Sequence, residues 1–518
     1  MKPIRLITGI MTVGFWTLAS RVLGVVREIF ILAYIGPGPV LDAFVAAFRL
    51  PNMFRRFFAE GAFNAAFVPI FSKKYEGEED PLIFARNAMN GLAFVLLILT
   101  ALAMILMPAL VWATASGFAG DARFDMTTGF GRIIFPYILF ISLAALFSGA
   151  LNATGHFAAA AAAPVLLNIF VIVAMVLAAW LGEEIILWLV WTIPLAGVAQ
   201  LALVWVAADR AGIRLRPARP VWNSDMKRLL RVAVPAALAG GVMQVNLLVG
   251  QQVASQFDKA VGWLYAADRL YQLPLGVVGI AVGIVLLPDL SRRLKAQDDH
   301  GARHAFSRAG ELSLALTVPA AAALVLVPLP IVSVLFQRGA TGPGDSAAIA
   351  LAVAIYGLGL PAFVLQKVLQ PLFFAREDTR TPFRYAVWSM AINALLAIGL
   401  APVLGWIAPA IATTAAGWIM VVMLAVGGRR FGEVARFDNR FRKRLWRILI
   451  ATVIMGVVLS GTAMLLRPFL VMSLWRYLAL VVLILIGIAA YGIAGHLTGA
   501  FRLSEFRTAF RRKRSDTE

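Results

Sequence analysis

Residues Leu92–Trp112 read LAFVLLILTALAMILMPALVW, a continuous apolar run without a charged side chain. An α-helix needs about 20 apolar residues to cross the hydrocarbon core of a bilayer, so this segment is long enough to span a membrane. Near-continuous apolar runs also occupy Asn168–Leu181, Leu314–Phe336, Ile448–Leu466 and Tyr477–Ile493. Because 61% of the 518 residues are hydrophobic and only 14% are charged, the composition excludes a typical soluble protein and indicates a polytopic membrane protein.

The spanning segments are predicted to be helices. A membrane β-barrel would show segments of about 10 residues in which apolar and polar side chains alternate, and such segments are absent from the sequence, so the expected fold class is all-α. Apolar runs between polar breaks predict fourteen transmembrane helices, with starts near residues 7, 41, 88, 129, 158, 185, 229, 260, 310, 345, 385, 406, 448 and 475. The first run, Ile7–Ile35, contains Arg21, Arg27 and Glu28, whereas a cleavable signal has a short uncharged apolar core. We therefore expect it to be retained.

The distribution of positive charge predicts the orientation of the chain. The net charge is +20, and most Lys and Arg residues lie in alternate loops and tails, such as Arg210–Arg231 and Arg429–Arg447. The intervening loops carry only isolated cations, such as Arg123, Arg338 and Arg467. By the positive-inside rule, both termini are expected in the cytoplasm. The basic C-terminal tail is then a topology determinant that rests on acidic headgroups, and we expect no nucleic-acid partner.

Two regions of the sequence resemble each other at a nearly constant offset. AFVPIFSKK at Ala66–Lys74 pairs with VLLPDLSRR at Val285–Arg293, and Asn168 pairs more loosely with Asn393. Six helices thus recur as helices seven to twelve, which predicts two six-helix lobes related by a pseudo-two-fold axis along the membrane normal. The predicted divisions are an N-lobe at 1–226, a C-lobe at 227–446, helices thirteen and fourteen at 447–498, and a basic cytoplasmic tail at 499–518.

Charged residues inside the predicted spans are the strongest functional signal. An ionisable group near the middle of a bilayer costs about 2.5 to 3.5 kcal/mol on the most lenient scale, so such groups face a bundle interior or a water-filled cavity. Some can pair, for example Arg56 with Glu60 at i, i+4 spacing, but complete pairing would still leave two positive charges over. Surplus guanidinium groups favour an anionic ligand such as a phosphate or diphosphate. These charged residues of helices one, two and eight are Arg21, Arg27, Glu28, Asp42, Arg49, Arg55, Arg56, Glu60, Asp268 and Arg269.

Two prolines accompany these charges. Pro51 lies between Arg49 and Arg55, and Pro274 follows Arg269. Proline kinks or unwinds a helix, and broken helices beside a polar cavity are typical of transporters. A kink that only improves packing is the alternative explanation.

Other polar residues are expected to have simpler roles. Lys367 is a lone cation in the tenth helix. Intramembrane amides can line a cavity or bond neighbouring helices, and helix bonding is the expected role of Asn168, Asn246, Gln251, Gln252 and Asn393. The four histidines lie at or near loops and lack metal-ligand spacing, and the chain contains no cysteine. We therefore expect no metal, no cofactor and no enzyme activity.

Several stretches resemble the signature regions of one family, the MurJ (MviN) lipid II flippases of the multidrug/oligosaccharidyl-lipid/polysaccharide exporter superfamily. The stretch at Asp42–Ser72 is the most specific, and the resemblance spans the whole chain. The stretches are SRVLGVVRE (Ser20–Glu28), DAFVAAFRLPNMFRRFFAEGAFNAAFVPIFS (Asp42–Ser72), ADRLYQLPLGVVGIAVGIVLLPDLS (Ala267–Ser291), LFQRG (Leu335–Gly339) and FFAREDTRTP (Phe373–Pro382).

The resemblance implies a flippase of the bacterial inner membrane that moves lipid II, the lipid-linked peptidoglycan precursor, to the periplasmic leaflet by alternating access. It implies a cationic central cavity for the diphosphate and sugar, and a groove between helices thirteen and fourteen for the lipid tail. On this basis Arg27, Arg55 and Arg269 are expected to bind the diphosphate, and Arg21 and Arg49 to line the cavity. Gate or ion-pair roles are expected for Asp42, Glu28, Glu60 and Asp268. Glu28 stands where the family often has aspartate, and Arg49 where lysine also occurs.

Two other functions stay open on the sequence alone. A cation-coupled drug or polysaccharide-lipid exporter of the same superfamily would have a more apolar or acidic cavity than these arginines predict. A scaffold that holds cell-wall synthases together would move no lipid at all. The expected partners are lipid II, membrane lipids and, under the scaffold hypothesis, proteins of cell-wall synthesis.

Overall fold

The structure, a computed structural model, describes residues 6–55, 62–77, 80–472 and 474–500. Within these residues the chain forms nineteen α-helices and three short 3-10 segments, at Ser116–Phe118, Gly405–Ile407 and Arg429–Ala435. The helices are α1 (Leu6–Tyr34), α2 (Pro39–Arg55), α3 (Ala62–Glu76), α4 (Pro81–Ile105), α5 (Met107–Thr114), α6 (Ala122–Ile134), α7 (Tyr137–Ala153), α8 (Phe157–Leu181), α9 (Ile185–Arg210), α10 (Ser224–Ala254), α11 (Ala260–Lys295), α12 (Asp299–Leu326), α13 (Pro328–Phe336), α14 (Pro343–Phe374), α15 (Arg380–Leu404), α16 (Ala408–Gly428), α17 (Asn439–Leu465), α18 (Arg467–Val471) and α19 (Arg476–Thr498).

The helical, membrane-spanning character predicted from the apolar runs is confirmed. Among the described residues, nine helical segments are long and apolar enough to cross a membrane. One of them, Arg380–Ala435, contains both α15 and α16, and another, Ala122–Ala153, contains α6 and α7. The predicted count of fourteen spans and the pseudo-two-fold relation of two lobes stay predictions.

The chain divides into two compact units. Unit 1 comprises Met1–Gly262 with Arg338–Thr341, and unit 2 comprises Trp263–Gln337 with Gly342–Glu518. This division falls later in the chain than the lobe boundary predicted near residue 226 from the sequence repeat. The lobe boundaries drawn from the repeat stay a prediction.

Unit 1 is organised around α7, α8 and α9. Helix α8 packs against α1 and α9, α7 packs against α9, α2 packs against α6, and α3 packs against α10. Stacked phenylalanines fill its core, because Phe67 lies 5.5 Å from Phe71 and 5.6 Å from Phe84 between ring centroids. This core fixes the end of α3 against the start of α4.

Unit 2 is organised around α14, which packs between α12 and α16. Helix α15 packs along α16, and α17 packs against both α12 and α19. One buried cluster joins α11, α12, α14 and α16 around Leu290, Phe306 and Phe373. A smaller cluster around Val334, Leu459 and Leu483 joins α13, α17 and α19.

Several helices extend beyond the apolar runs that predicted them. Helix α12 begins at Asp299 rather than near residue 310, and α17 begins at Asn439 rather than near 448. Each has an aspartate N-cap whose side chain accepts a backbone hydrogen bond, Asp298 from Gly301 and Asp438 from Phe441, both at 2.7 Å. Capping lets charged first turns form helix outside the apolar segment, so hydropathy alone places these starts too late.

The prolines were predicted to kink or unwind the charged helices, and the prediction of unwinding is wrong. Pro51 lies inside α2 and Pro274 lies inside α11, and both helices continue through them. Next to Pro51, the Asn52 side chain donates to the Phe48 carbonyl over 3.0 Å. Proline instead starts short helices at the ends of long ones, in α5, α13 and α18, because the first helical turn needs no N–H partner there.

Candidate functional site

Arg27 is held by two side chains inside unit 1. Its Nη1 donates to Asn168 Oδ1 on α8 over 3.0 Å, and its Nη2 forms an ion pair with its neighbour Glu28. Asn168 in turn donates from Nδ2 to the Ser20 carbonyl of α1 over 3.0 Å. Glu28 and Asn168 are both buried, with exposed fractions of 4% and 5%. The network therefore fixes the Arg27 guanidinium between α1 and α8.

The sequence of α8 explains how α1 comes close enough for these bonds. Its first turns are alanines, in the segment FAAAAAAP at Phe157–Pro164. Small side chains let two membrane helices approach closely, and α1 packs along α8. An amide in the middle of α8 can then reach a cation on α1, and a guanidinium fork held in one orientation suits a planar or tetrahedral oxyanion.

The remaining predicted arginines are half-buried in their own units. Arg21 on α1, and Arg49 and Arg55 on α2, belong to unit 1. In unit 2, the Arg269 guanidinium lies over the Tyr265 ring, 4.8 Å from its centroid, a cation–π contact.

The predicted acidic residues take local partners where they are described. Asp268 accepts a hydrogen bond from Gln272 one turn later on α11. Glu28 pairs with Arg27. Arg56 and Glu60 lie outside the described residues. Lys367, the lone cation predicted in the tenth span, is exposed on α14.

Asp42 lies in a second charged cluster of unit 1, together with Arg123, a cation that is isolated in the sequence. The Asp42 side chain is fully buried, and its Oδ2 lies 3.7 Å from Nη1 of Arg123, which is also buried. The Arg123 guanidinium also pairs with Asp121 at 2.7 Å and Asp258 at 3.5 Å, and it lies 4.5 Å from the Phe118 ring centroid. The side-chain hydrogen bond from Arg123 lowers the pKa of Asp121, which precedes α6.

The only sequence signal for this cluster was local. Asp121 caps α6 by accepting the backbone N–H of Arg123 over 2.7 Å. An N-cap aspartate two residues before an arginine predicts their contact, but the approach of Asp42 depends on the packing of α2 against α6.

The intramembrane amides near the end of α10 make contacts with the α5–α6 connection. Gln251 donates to the Thr114 carbonyl over 3.2 Å, and Gln252 accepts the backbone N–H of Ser116 over 2.9 Å. A Cβ added at Gly117 would lie 2.4 Å from the Ser255 backbone, so only glycine allows this close approach. Asn246 has no described side chain, and Asn393 is buried on α15.

Comparison with protein families finds one match over most of the chain. The model of the family "Lipid II flippase MurJ" matches residues 31–480. A "Probable lipid II flippase MurJ" of Rhizobium tropici is 43% identical over 519 residues, covering 98% of this chain and 97% of the relative. The "Lipid II flippase MurJ" of Burkholderia cenocepacia is 33% identical over 436 residues, covering 83% and 84% of the two chains.

Solved structures show the same fold. A lipid II flippase MurJ in an inward closed conformation matches with a TM-score of 0.79 at 24% identity, covering 94% of this chain and 98% of that one. An inward-facing multidrug resistance transporter of the MATE family matches with a TM-score of 0.67 at 15% identity, covering 80% and 94%. At these identities the two structures indicate the fold and not the cargo.

Proposed function

Because the chain belongs to the lipid II flippase MurJ family, as a multi-pass protein of the bacterial inner membrane, we propose that it carries lipid II from the cytoplasmic to the periplasmic leaflet. Family membership rests on matches that extend over most of the chain. The function would place the protein in peptidoglycan synthesis, with lipid II as its cargo.

Arg27, Arg55 and Arg269 are proposed to bind the diphosphate of the lipid. The observation that carries this assignment is the fixed Arg27 guanidinium, bonded to Asn168 at 3.0 Å and paired with the buried Glu28. A guanidinium held in one orientation loses little freedom when an oxyanion binds, and a phosphate oxygen would take the place of Glu28 on Nη2. Arg21 and Arg49 are proposed to line the path of the headgroup.

The acidic residues are proposed to set the orientation of these cations. Glu28 would hold Arg27 when no lipid is bound, and Asp268 lies next to Arg269 on α11. Asp42, which contacts Arg123 in unit 1, is proposed as part of a gate. Glu60 is proposed as a further ion-pair partner on grounds of sequence alone.

The proposed transport follows alternating access. The headgroup enters from the cytoplasmic leaflet, the arginines replace its hydration, and the protein then opens to the other side while the lipid tail stays in hydrocarbon. Two states of similar free energy are needed, and the ligand shifts their balance. With both termini in the cytoplasm, the membrane potential acts on the cationic site with about 2.3 kcal/mol per charge per 100 mV, which could reset it.

A transport assay in liposomes tests the proposal. We expect the triple variant Arg27→Ala, Arg55→Ala, Arg269→Ala to lose lipid II movement while it keeps the thermal unfolding temperature of a folded protein. A matched variant that removes exposed arginines, Arg292→Ala with Arg384→Ala, should move lipid II at the full rate. Full movement by the triple variant would rule out the diphosphate assignment. Absence of lipid II movement by the unaltered protein, with the fold intact, would favour the scaffold function, and movement of a cationic drug instead would favour an exporter.

A further inference from the structure

A cavity of about 510 Å³ lies at one end of unit 2, outside all the residues discussed above as lipid II ligands. Its floor is apolar: Leu369 and Leu372 come from the last turns of α14, and Leu424 from the last turn of α16. Phe437 and Phe441 form its wall, with their rings stacked at 3.8 Å between centroids. The cavity is therefore built within one unit, from α14, α16, α17 and the connection between α16 and α17.

The connection between α16 and α17 closes the cavity on one side. It forms the 3-10 segment Arg429–Ala435, in which Gly432 has a φ of 68°. This left-handed conformation favours glycine because a Cβ would clash with the backbone. The turn at Gly432 directs the chain back toward Phe437 and the start of α17.

The rim of the cavity is cationic. Arg429, Arg436 and Arg442 line it, and all three are exposed. Arg436 is paired with Glu433 at 2.8 Å, but within the described part of the chain no carboxylate lies in ion-pairing range of Arg429 or Arg442. The carboxylates nearby are paired with other cations, in the pairs Asp378 with Arg430, Asp438 with Arg308, and Glu433 with Arg303. Among the residues that the structure describes, the guanidinium groups of Arg429 and Arg442 thus have no carboxylate partner.

The position of the cavity relative to the membrane indicates a lipid as its ligand. α14, α16 and α17 belong to segments that can span the membrane, and the cavity lies at the C-terminal ends of α14 and α16 and the N-terminal end of α17. Apolar residues of a span end where the hydrocarbon ends, and the cations beyond them lie at the level of the headgroups. The positive charge of residues 429–447 predicts that this end faces the cytoplasmic leaflet.

We propose that this cavity binds an anionic phospholipid, with its phosphate on Arg429 and Arg442 and the first part of an acyl chain along the exposed Ala425 and the half-buried Phe437. A free phosphate would satisfy the arginines but would leave the apolar surface of Ala425 and Phe437 in contact with water. A zwitterionic lipid would bring an ammonium group toward the same guanidiniums, so a lipid with net negative charge is favoured. The site is independent of the lipid II function proposed above.

Titration of the purified, delipidated full-length protein with phosphatidylglycerol, read by native mass spectrometry, tests the site. We expect preference for phosphatidylglycerol over phosphatidylcholine with the same acyl chains. Arg429→Ala and Arg442→Ala should each weaken phosphatidylglycerol binding about five-fold and together about twenty-five-fold. Ala425→Trp, which fills the apolar part and leaves all charges in place, should weaken it as well.

Arg384→Ala is the matched control, because Arg384 is exposed near the start of α15, at the same end of unit 2, and does not line the cavity. It should bind phosphatidylglycerol like the unaltered protein, and all variants should keep its thermal unfolding temperature. Equal binding of the two lipids, or equal loss in Arg384→Ala and Arg442→Ala, would show diffuse lipid contact and overturn the proposal. Displacement of the lipid by inorganic phosphate, but not by chloride at equal ionic strength, would show an ion site and overturn it too.

Discussion

The backbone N–H of Gly262 donates to Oδ1 of Asp42 over 2.7 Å. A side chain from α2 therefore satisfies a free donor in the first turn of α11, the helix that later carries Arg269. The other oxygen of the same carboxylate faces Arg123. Asp42 thus links three elements of unit 1, namely α2, α6 and the start of α11.

Replacement of Asp42 tests how much these contacts contribute to the stability of the fold. We expect Asp42→Ala to lower the free energy of unfolding by about 3 kcal/mol, because it leaves a buried guanidinium and a backbone donor without this acceptor. Asp258→Ala is the control, since Asp258 pairs with the same arginine but is 96% exposed. It should change stability by less than about 1 kcal/mol. Steric-trapping measurements in bicelles compare the two, and equal effects would contradict a special role for Asp42.

Asn168 is expected to position Arg27. Without its amide, the Arg27 guanidinium would keep Glu28 but lose its bond to α8. Because a hydrogen bond to a charged group contributes about 1.5 kcal/mol or more, Asn168→Ala should weaken lipid II binding about ten-fold. Asn168→Asp should weaken it further, because an added negative charge repels the diphosphate.

Gln200→Ala provides the control for loss of a buried amide in the same unit. Gln200 donates to the Ala163 carbonyl over 2.9 Å and accepts from the Tyr137 hydroxyl at 3.3 Å. Its loss should leave lipid II binding by the folded protein unchanged. Microscale thermophoresis in detergent measures both variants, and unchanged binding by Asn168→Ala would disprove the positioning role.

Gly36 is expected to tolerate no side chain. Its φ is 67°, and a Cβ there would lie 2.5 Å from the Ala340 carbonyl oxygen. The segment Arg338–Thr341 is fixed to the end of α1 by bonds from Ala340 N to Ala33 O (2.8 Å) and from Thr341 Oγ1 to Leu32 O (2.7 Å). Gly36→Ala should therefore both strain its own backbone and displace this segment.

The comparison with Gly182 separates the two effects. Gly182 has a φ of 72°, but a Cβ there would meet nothing within 4 Å. Gly182→Ala should lower the free energy of unfolding by about 1 to 2 kcal/mol, because alanine is strained in the left-handed conformation. Gly36→Ala should lower it clearly more. Thermal unfolding of both variants provides the measurement. Equal losses would mean that the 338–341 segment moves aside freely.

Asp438 is expected to make stability depend on pH. Burial alone would raise its pKa, but hydrogen bonds from the Phe441 N–H and the Arg308 side chain outweigh this and hold the pKa below its ordinary value. Because the pKa of Asp438 is lower in the folded state, its ionised form stabilises that state at pH values above the unfolded-state pKa of about 3.9. This contribution is lost as pH falls through the lower folded pKa.

Asp438→Asn isolates that contribution, because asparagine still caps α17 but carries no charge. The unaltered protein should unfold at a higher temperature than the variant at pH 6, and the difference should shrink below about pH 4. Thermal unfolding between pH 3 and pH 7 measures it. If the difference in unfolding temperature between the two proteins stays constant over this pH range, the effect comes from the shape of the side chain and not from its charge.

The sequence predicted those features that depend on one helix at a time. Apolar run length predicted spanning helices such as α4 and α19, and the predicted starts near 158, 185 and 260 lie within one residue of Phe157, Ile185 and Ala260. Hydropathy could not place the capped starts at Asp299 and Asn439, because polar first turns look like loops on that scale.

The candidate site was predictable in composition but not in contacts. Arg27 and Glu28 stand out because charge is rare in an apolar run. The part played by Asn168 and Arg123 depends on which helices pack together, and a single sequence does not contain that information. Intramembrane amides have several uses, so Asn168 was expected to bond a neighbouring helix, with cavity lining as the alternative; in the structure it also binds Arg27.

The Asn168 amide restricts which residues position 27 can accept. Its amino group is already committed to the Ser20 carbonyl, so its oxygen must face α1 at Arg27. Only a side chain that offers a proton at that point can replace arginine without leaving the oxygen unsatisfied. Lysine offers such a proton, but it cannot bond Asn168 and Glu28 with the same fork. During divergence of the family, changes at 27 and 168 are therefore expected to occur together or not at all.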